Sequence, residues 1–339
     1  MLNIILPLIS LFLLRTIREE RGVGVGTFTG IFLRGNPFMA MSSMIRFHLA
    51  CDEHSTVLMT EQLGQAKSAL TVDELLEALE DPRFNVRFEA IVSIARMPAD
   101  QRLIDALVAI LEGSELALTV VAAWALGRLG DKRAIEPLHH SLDSSYRSVR
   151  AHTARALGAL GDEAIAPMLA ERLASEEDKG LQMAYASALG NLHAVDAVPQ
   201  LLELLAQTAN TGARLELALT LARIIGDEHS FVSLLRQLRS DPGTATSQAL
   251  NTYRKRHAKQ LDRAVLSAMI ACEEALARGE IDQGCRQLGA LIPDLPLGSM
   301  GEARATILRE CGAQLVASGG EHVEYILLAI HALLATSVT

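Results

Sequence analysis

The chain has 339 residues and a net charge of −9; half its residues are hydrophobic but only 4% are aromatic. Ala and Leu supply most of the apolar content, which suits close-packed helices rather than strands, and 24 Gly with 10 Pro exclude a large collagen-like or disordered part. The charge is uneven: residues 1–49 carry +3 and the remainder −12. An acidic body argues against a broad nucleic-acid surface, which needs clustered Lys and Arg, so no nucleic-acid partner is expected.

The first predicted element is apolar. Residues 2–14 read LNIILPLISLFLL, without a charge. The run is too short to span a bilayer alone, and it lacks the positive start of a signal peptide. Arg15, Arg18 and Arg21 follow it, and such charges flank the cytoplasmic side of a membrane helix. Residues 1–21 are therefore expected to be the end of a transmembrane or apolar anchor helix, with a short buried helix as the alternative. Residues 22–71, opened by GVGVG, are expected to be a linker with an interfacial segment. Arg34, Arg46 and His48 among Phe, Met and Ile suit a lipid surface. The expected location is the cytoplasmic side of the cell membrane, tethered, or otherwise the cytoplasm.

From residue 72 the chain is periodic. One Leu-like position recurs at Ile94, Leu126, Leu157, Leu189 and Leu221, in steps of 32, 31, 32 and 32. A fixed period of this length signals stacked helical repeats. The next residue is always small: Ala95, Gly127, Gly158, Gly190 and Ala222. Three residues before the anchor stand Ile91, Ala123, Ala154, Ala186 and Ala218; three after it stand Met97, Leu129, Leu160, Leu192 and Ile224. Small and large columns at this spacing form one helix face pressed against its neighbours. Each unit holds two helices, parted by turns such as Asp81-Pro82 and Gly113-Ser114. Gly-Asp pairs at 130–131, 161–162 and 226–227 close one helix and open the next.

The stretch SVRAHTARALGALGDEAIAPML at 148–169 resembles a HEAT repeat, in particular the short bacterial kind also seen in the phycobilisome-lyase-like group. The resemblance covers about residues 72–240 and implies an all-α fold: a right-handed α-α superhelix, a HEAT solenoid. It implies a turn Asp and a Val-Arg pair that form a ladder between repeats. Asp81 with Arg87, and Asp143 with Arg150, match that pattern. The remaining copies put Thr119, Leu181 and Ala213 in the place of Arg87, so the ladder is broken. The order of parts, an apolar helix end, a basic exit, a glycine-rich linker and then repeats, is similar to the cytoplasmic C-terminal tail of HEAT-containing major-facilitator-type transporters.

The period is lost after residue 243. Residues 244–339 are expected to form a helical bundle or cap over the open end of the 72–243 solenoid, since a stack must shield its last layer. One long helix or two are predicted before Gly279, a shorter one stopped by Pro293 and Pro296, then two more parted by Gly319-Gly320.

No catalytic, cofactor or metal residue is expected. Cys51, Cys272, Cys285 and Cys311 have no metal spacing and read as reduced thiols. His139 and His140 are adjacent on one helix and point apart. Neither a G-x-S-x-G, a phosphate loop nor an H-E-x-x-H is present. One row stands out. Two residues past the anchors come Arg96, Arg128, Ala159, Asn191 and Arg223. Cations there offset helix dipoles by about 0.3–1 kcal/mol each; aligned along a stack, they would also grip an acidic peptide. Trp124, the single Trp, and Arg155 share another column and complete the candidate partner-binding set.

The leading expectation is a non-catalytic scaffold that binds a protein or peptide segment at the cytoplasmic side of a membrane, as the regulatory tail or a fragment of a transporter. Membrane contact runs through the N-terminal segment, and no enzyme activity is expected. The alternative is a phycobilin-lyase-like enzyme or enzyme subunit.

Overall fold

The computed structural model describes residues 71–335, and every regular element in them is helical. The chain divides into two compact units after Thr153. The first holds α1 (Val72–Leu79), α2 (Phe84–Ile94), α3 (Gln101–Leu111), α4 (Leu116–Leu129), α5 (Ile135–Ser141) and the start of α6 (Arg147–Leu160). The second holds the rest of α6, then α7 (Ala166–Ser175), α8 (Lys179–Asn191), α9 (Val198–Gln207) and α10 (Thr211–Ile225). Six further helices follow: α11 (Glu228–Ser240), α12 (Pro242–His257), α13 (Arg263–Ala277), α14 (Ile281–Leu291), α15 (Glu302–Ser318) and α16 (Val323–Leu334).

The starts are set locally. Thr71 and Glu74 form a reciprocal capping box on α1: the Thr71 amide donates to Glu74 Oε2 at 2.7 Å, and the Glu74 amide donates to Thr71 Oγ1. Asp100, Asp178, Asn210, Asp227, Asp241 and Asp262 cap α3, α8, α10, α11, α12 and α13 with side-chain oxygens. Pro167 and Pro199 stand in first turns, where no amide donor is missed.

In the first unit α1 packs on α3, α3 on α5, and α2 on α4. First helices thus stack on first helices and second on second. The second unit repeats this with α8 on α10, and Gln200 of α9 donates to the Ala170 carbonyl of α7 at 3.1 Å. The small column does what its spacing predicts. A Cβ on Gly158 would stand 2.7 Å from Ala188 Cα, and one on Gly190 2.8 Å from Thr220 Cγ2. Only a hydrogen fits where these backbones approach.

A second column was misaligned by one residue in sequence. The side chain seven before each anchor reaches back to the carbonyl six residues before itself. Arg87 donates to Asp81 O at 3.0 Å, Thr119 to Gly113 O at 3.4 Å, and Arg150 to Ser144 O at 2.8 Å. Gln182 donates to Glu176 O at 2.6 Å and Arg214 to Thr208 O at 3.2 Å. The fourth and fifth members are therefore Gln182 and Arg214, not Leu181 and Ala213. Five polar side chains of three kinds tie the turn of each helix pair to its second helix, because the turn leaves carbonyls that lack helical partners.

The last two helices close the second unit. α15 packs on α9 and α16 packs on α10, α11 and α12. The α15–α16 pair thus takes the place that a sixth repeat would take after α9–α10, although α11–α14 intervene in sequence. Every residue of α16 from Glu324 to Leu333 is buried. Each Leu or Ile there contributes about 1.5–3 kcal/mol by leaving water.

Candidate binding surface

The row two residues past the anchors lies at the C-terminal ends of the second helices. In the first unit α2 and α4 present Arg96 and Arg128, both exposed. The Arg128 side chain has no hydrogen bond or ion pair among the described residues. The Glu89 pKa is pushed up by desolvation, and the charge of Arg96 pulls it back. Beyond Arg128, Gly130 takes φ +72° and closes α4 in the left-handed region, and Asp131 opens the next turn. Arg133 holds the Asp131 carboxylate down to about 2 through a side-chain and a backbone hydrogen bond. Trp124, also in the first unit, is half-buried.

In the second unit the same row is consumed by its own neighbours. Arg223 Nη1 donates to Asn191 Oδ1 at 2.7 Å, joining two members of the row, and Arg223 Nε donates to Glu228 Oε2 at 3.0 Å. His193 takes the slot that Gly130 and Gly161 occupy in earlier copies, at φ +50°. A non-glycine residue there costs on the order of 1 kcal/mol or more. A 2.9 Å hydrogen bond between His193 Nδ1 and the Arg223 carbonyl holds it. Arg155 is half-buried; burial lowers its pKa, and Glu216 opposes that shift. The row therefore contains two exposed cations in the first unit and a tied cation in the second.

The proposed ladder residues hold turns. Asp81 binds Arg83, which donates from its amide, Nε and Nη2; these contacts bring the Asp81 pKa to about 2. Arg87 instead takes the Asp81 main-chain oxygen and reaches Glu115, the N-cap of α4, at 2.7 Å. That pair joins the first copy to the second, with Glu115 as the acid. Arg150 donates to Ser144 O and Ser145 O, and Asp143 stands exposed at the turn.

Sequence reading missed the buried charges of the second unit. Arg214 donates from Nε to Glu324 on α16, both at least nine-tenths buried, and lies 5.3 Å over the Tyr325 ring. Arg304 donates to the Ala332 and Leu333 carbonyls. His331 reaches the Ala222 carbonyl at 3.2 Å and meets Phe231 edge-on. The recurring seven-before-anchor column was the signal for Arg214; nothing in the local sequence pointed to Glu324.

Cys272, Cys285 and Cys311 are buried free thiols, the first two pushed up to about 12 by burial. Among the described residues no group of three or more His, Cys, Asp or Glu is arranged to hold a metal, and no helix is long and apolar enough to cross a membrane. The suspected anchor and the interfacial segment fall in residues 1–70, outside the described residues, as does Cys51.

The class these features define is a HEAT-like all-α array of helix pairs. Residues 104–190 and 167–252 match the family model for HEAT repeats. Among curated proteins none matches. A solved structure that matches is the complex of CpcE and CpcF of phycocyanin lyase from Nostoc sp. PCC7120, at 19% identity and TM-score 0.40, covering 77% of this chain and 94% of that chain. That likeness transfers no residue role and no activity. It does conflict with treating the chain as a non-enzyme, because the matching chain is part of a lyase, and the non-enzyme expectation is withdrawn. No finding links the chain to a transporter.

Proposed function

We propose that this chain is a protein-binding scaffold that takes an acidic segment along the C-terminal ends of its second helices, with Arg96 and Arg128 as the gripping charges and Trp124 beside them. The observation that carries this reading is the contrast within one row: Arg96 and Arg128 are exposed, whereas Arg223 is bound to Asn191 and Glu228. Exposed guanidinium groups offer planar, charge-assisted donors that match carboxylates, and helix-pair arrays offer extended surfaces to partner chains. Selection of peptides from an unbiased display library tests it: acidic peptides should dominate, and Arg96→Glu with Arg128→Glu should abolish their capture. Binders indifferent to that double substitution would defeat it.

The second reading places the same scaffold in a phycobilin-lyase-like enzyme or enzyme subunit. The likeness of 148–169 to the phycobilisome-lyase-like HEAT repeats favours it. Co-expression with a bilin and its acceptor protein tests it through visible absorbance of the purified components. A chromophore attached or removed only when this chain is present supports the reading; unchanged spectra reject it.

A further inference from the structure

The C-terminal end of α16 gathers positive charge that no carboxylate among the described residues neutralises. Arg304, on α15, is 8% exposed, and it donates to the Ala332 and Leu333 carbonyls. Arg256, on α12, donates to the Leu334 carbonyl at 3.4 Å. Two guanidinium groups thus meet one helix end, which supplies only about half a negative charge. Among the described residues no carboxylate pairs with either. Burial lowers the Arg304 pKa, and the only opposing influence is the Tyr253 phenol. Tyr253 is fully buried, and its hydroxyl has no hydrogen-bond partner. The ring of His257 lies 4.4 Å from the Tyr253 ring.

Helix capping explains the carbonyl bonds but not the rest. Arg256 is exposed to water, but Arg304 is buried; terminal carbonyls cannot balance its full charge, and a buried guanidinium without a counter-ion is strongly disfavoured. A hydroxyl buried without a partner is a second unmet demand. Both demands are met by one kind of group. An oxyanion accepts from a phenol hydroxyl and from guanidinium donors at once, and it brings the missing negative charge. His331, one turn earlier on α16, also feels the Arg304 charge, and Asp227 acts on it in the opposite sense. Asp227 itself is committed to capping α11 through His229 and Ser230. Arg254, next to Tyr253, is committed to Glu273 at 2.7 Å. Two residues on, Arg256 has no such acid among the described residues and reaches the end of α16 instead.

We propose that Arg304, Arg256 and the Tyr253 hydroxyl form a binding site for a small oxyanion, a phosphate or carboxylate group, at the C-terminal end of α16. The site is independent of the row carrying Arg96 and Arg128. The test uses the full chain and inorganic phosphate, with acetate as the carboxylate arm and chloride at matched ionic strength as control. Melting temperature and calorimetric titration are the readouts. Phosphate, acetate or both should raise the melting temperature saturably beyond chloride. Tyr253→Phe should weaken that binding about tenfold, the scale of one hydrogen bond to a charged group, while leaving the anion-free protein as stable as before or more so. Arg256→Gln should weaken it as well. Arg304→Gln also removes two carbonyl bonds, so Tyr253→Phe carries the decision. No saturable effect of either anion, or binding unchanged in Tyr253→Phe, would overturn the site.

Discussion

The two units are built from the same helix pairs but are closed differently. In the first, neighbours in space are neighbours in sequence: α1 meets α3, α2 meets α4, and α3 meets α5. Among its described residues no Arg, Lys, Asp or Glu is buried. In the second, α10 is covered by α16, about a hundred residues further on, and Arg214, Glu273, Arg304 and Glu324 are buried. A repeat that meets its successor buries Ala, Gly and Leu and needs no charge inside. A stack closed by a distant helix must satisfy that helix's polar groups wherever they land. The same column position shows the difference: Arg87 meets Glu115 with that carboxylate 55% exposed, whereas its counterpart Arg214 meets Glu324 with 3% exposed.

Breaking the second closure should have the largest effect. Glu324→Ala leaves Arg214 buried without its acid and should cost about 3–5 kcal/mol in urea unfolding. Arg87→Met, at the exposed counterpart, should cost about 1 kcal/mol or less. Replacing both partners, Arg214→Met with Glu324→Leu, should recover most of the loss. Equal costs at Glu324 and Arg87 would erase the contrast.

Next in size is the small column. Gly158→Ala puts a methyl 2.7 Å from Ala188 Cα and should cost about 1–3 kcal/mol, with the backbones pushed apart. Thermal unfolding checks it, and an unchanged midpoint would show that the repeats are not in close contact there.

Smaller again is a pH effect confined to the second closure. Burial holds the His331 pKa below its ordinary value of 6.5. The unfolded chain then binds more protons between the folded and unfolded values, so stability rises with pH in that window. The contribution is complete above about 6.5 and is lost as pH falls toward the folded value. His331→Gln, which can still donate to Ala222 O, should flatten the slope of melting temperature between pH 6.5 and 5. A slope unchanged in that variant assigns it to other groups.

The smallest stability effect is expected at the exposed row. Arg96→Glu and Arg128→Glu should each shift stability within about 0.5 kcal/mol, which leaves binding as the readout.

How much of this was legible follows from the same contrast. The anchor, small and large columns were readable because a repeat copies its packing residues at a fixed spacing, and Gly158 against Ala188 is where that spacing becomes a contact. The cap column was readable in kind but slipped by one at Gln182 and Arg214. A chemically mixed set of Arg, Thr and Gln hides a role that depends on reach rather than residue type. The row of arginines was readable as a row, but not that Arg223 would be spent on Asn191 and Glu228. Glu324, Arg304 and Tyr253 carried no local signal, since their partners stand tens of residues away in sequence. His193 was also silent, because a left-handed slot filled by a histidine shows itself only in the backbone.

Affinity of the full chain for a selected acidic peptide, measured by calorimetry against the Arg96→Glu and Arg128→Glu double variant, tests the scaffold proposal most directly. The expected result is an unchanged fold with affinity reduced at least about tenfold, the loss of one charge-assisted pair or more. Equal affinity in a correctly folded double variant would contradict it.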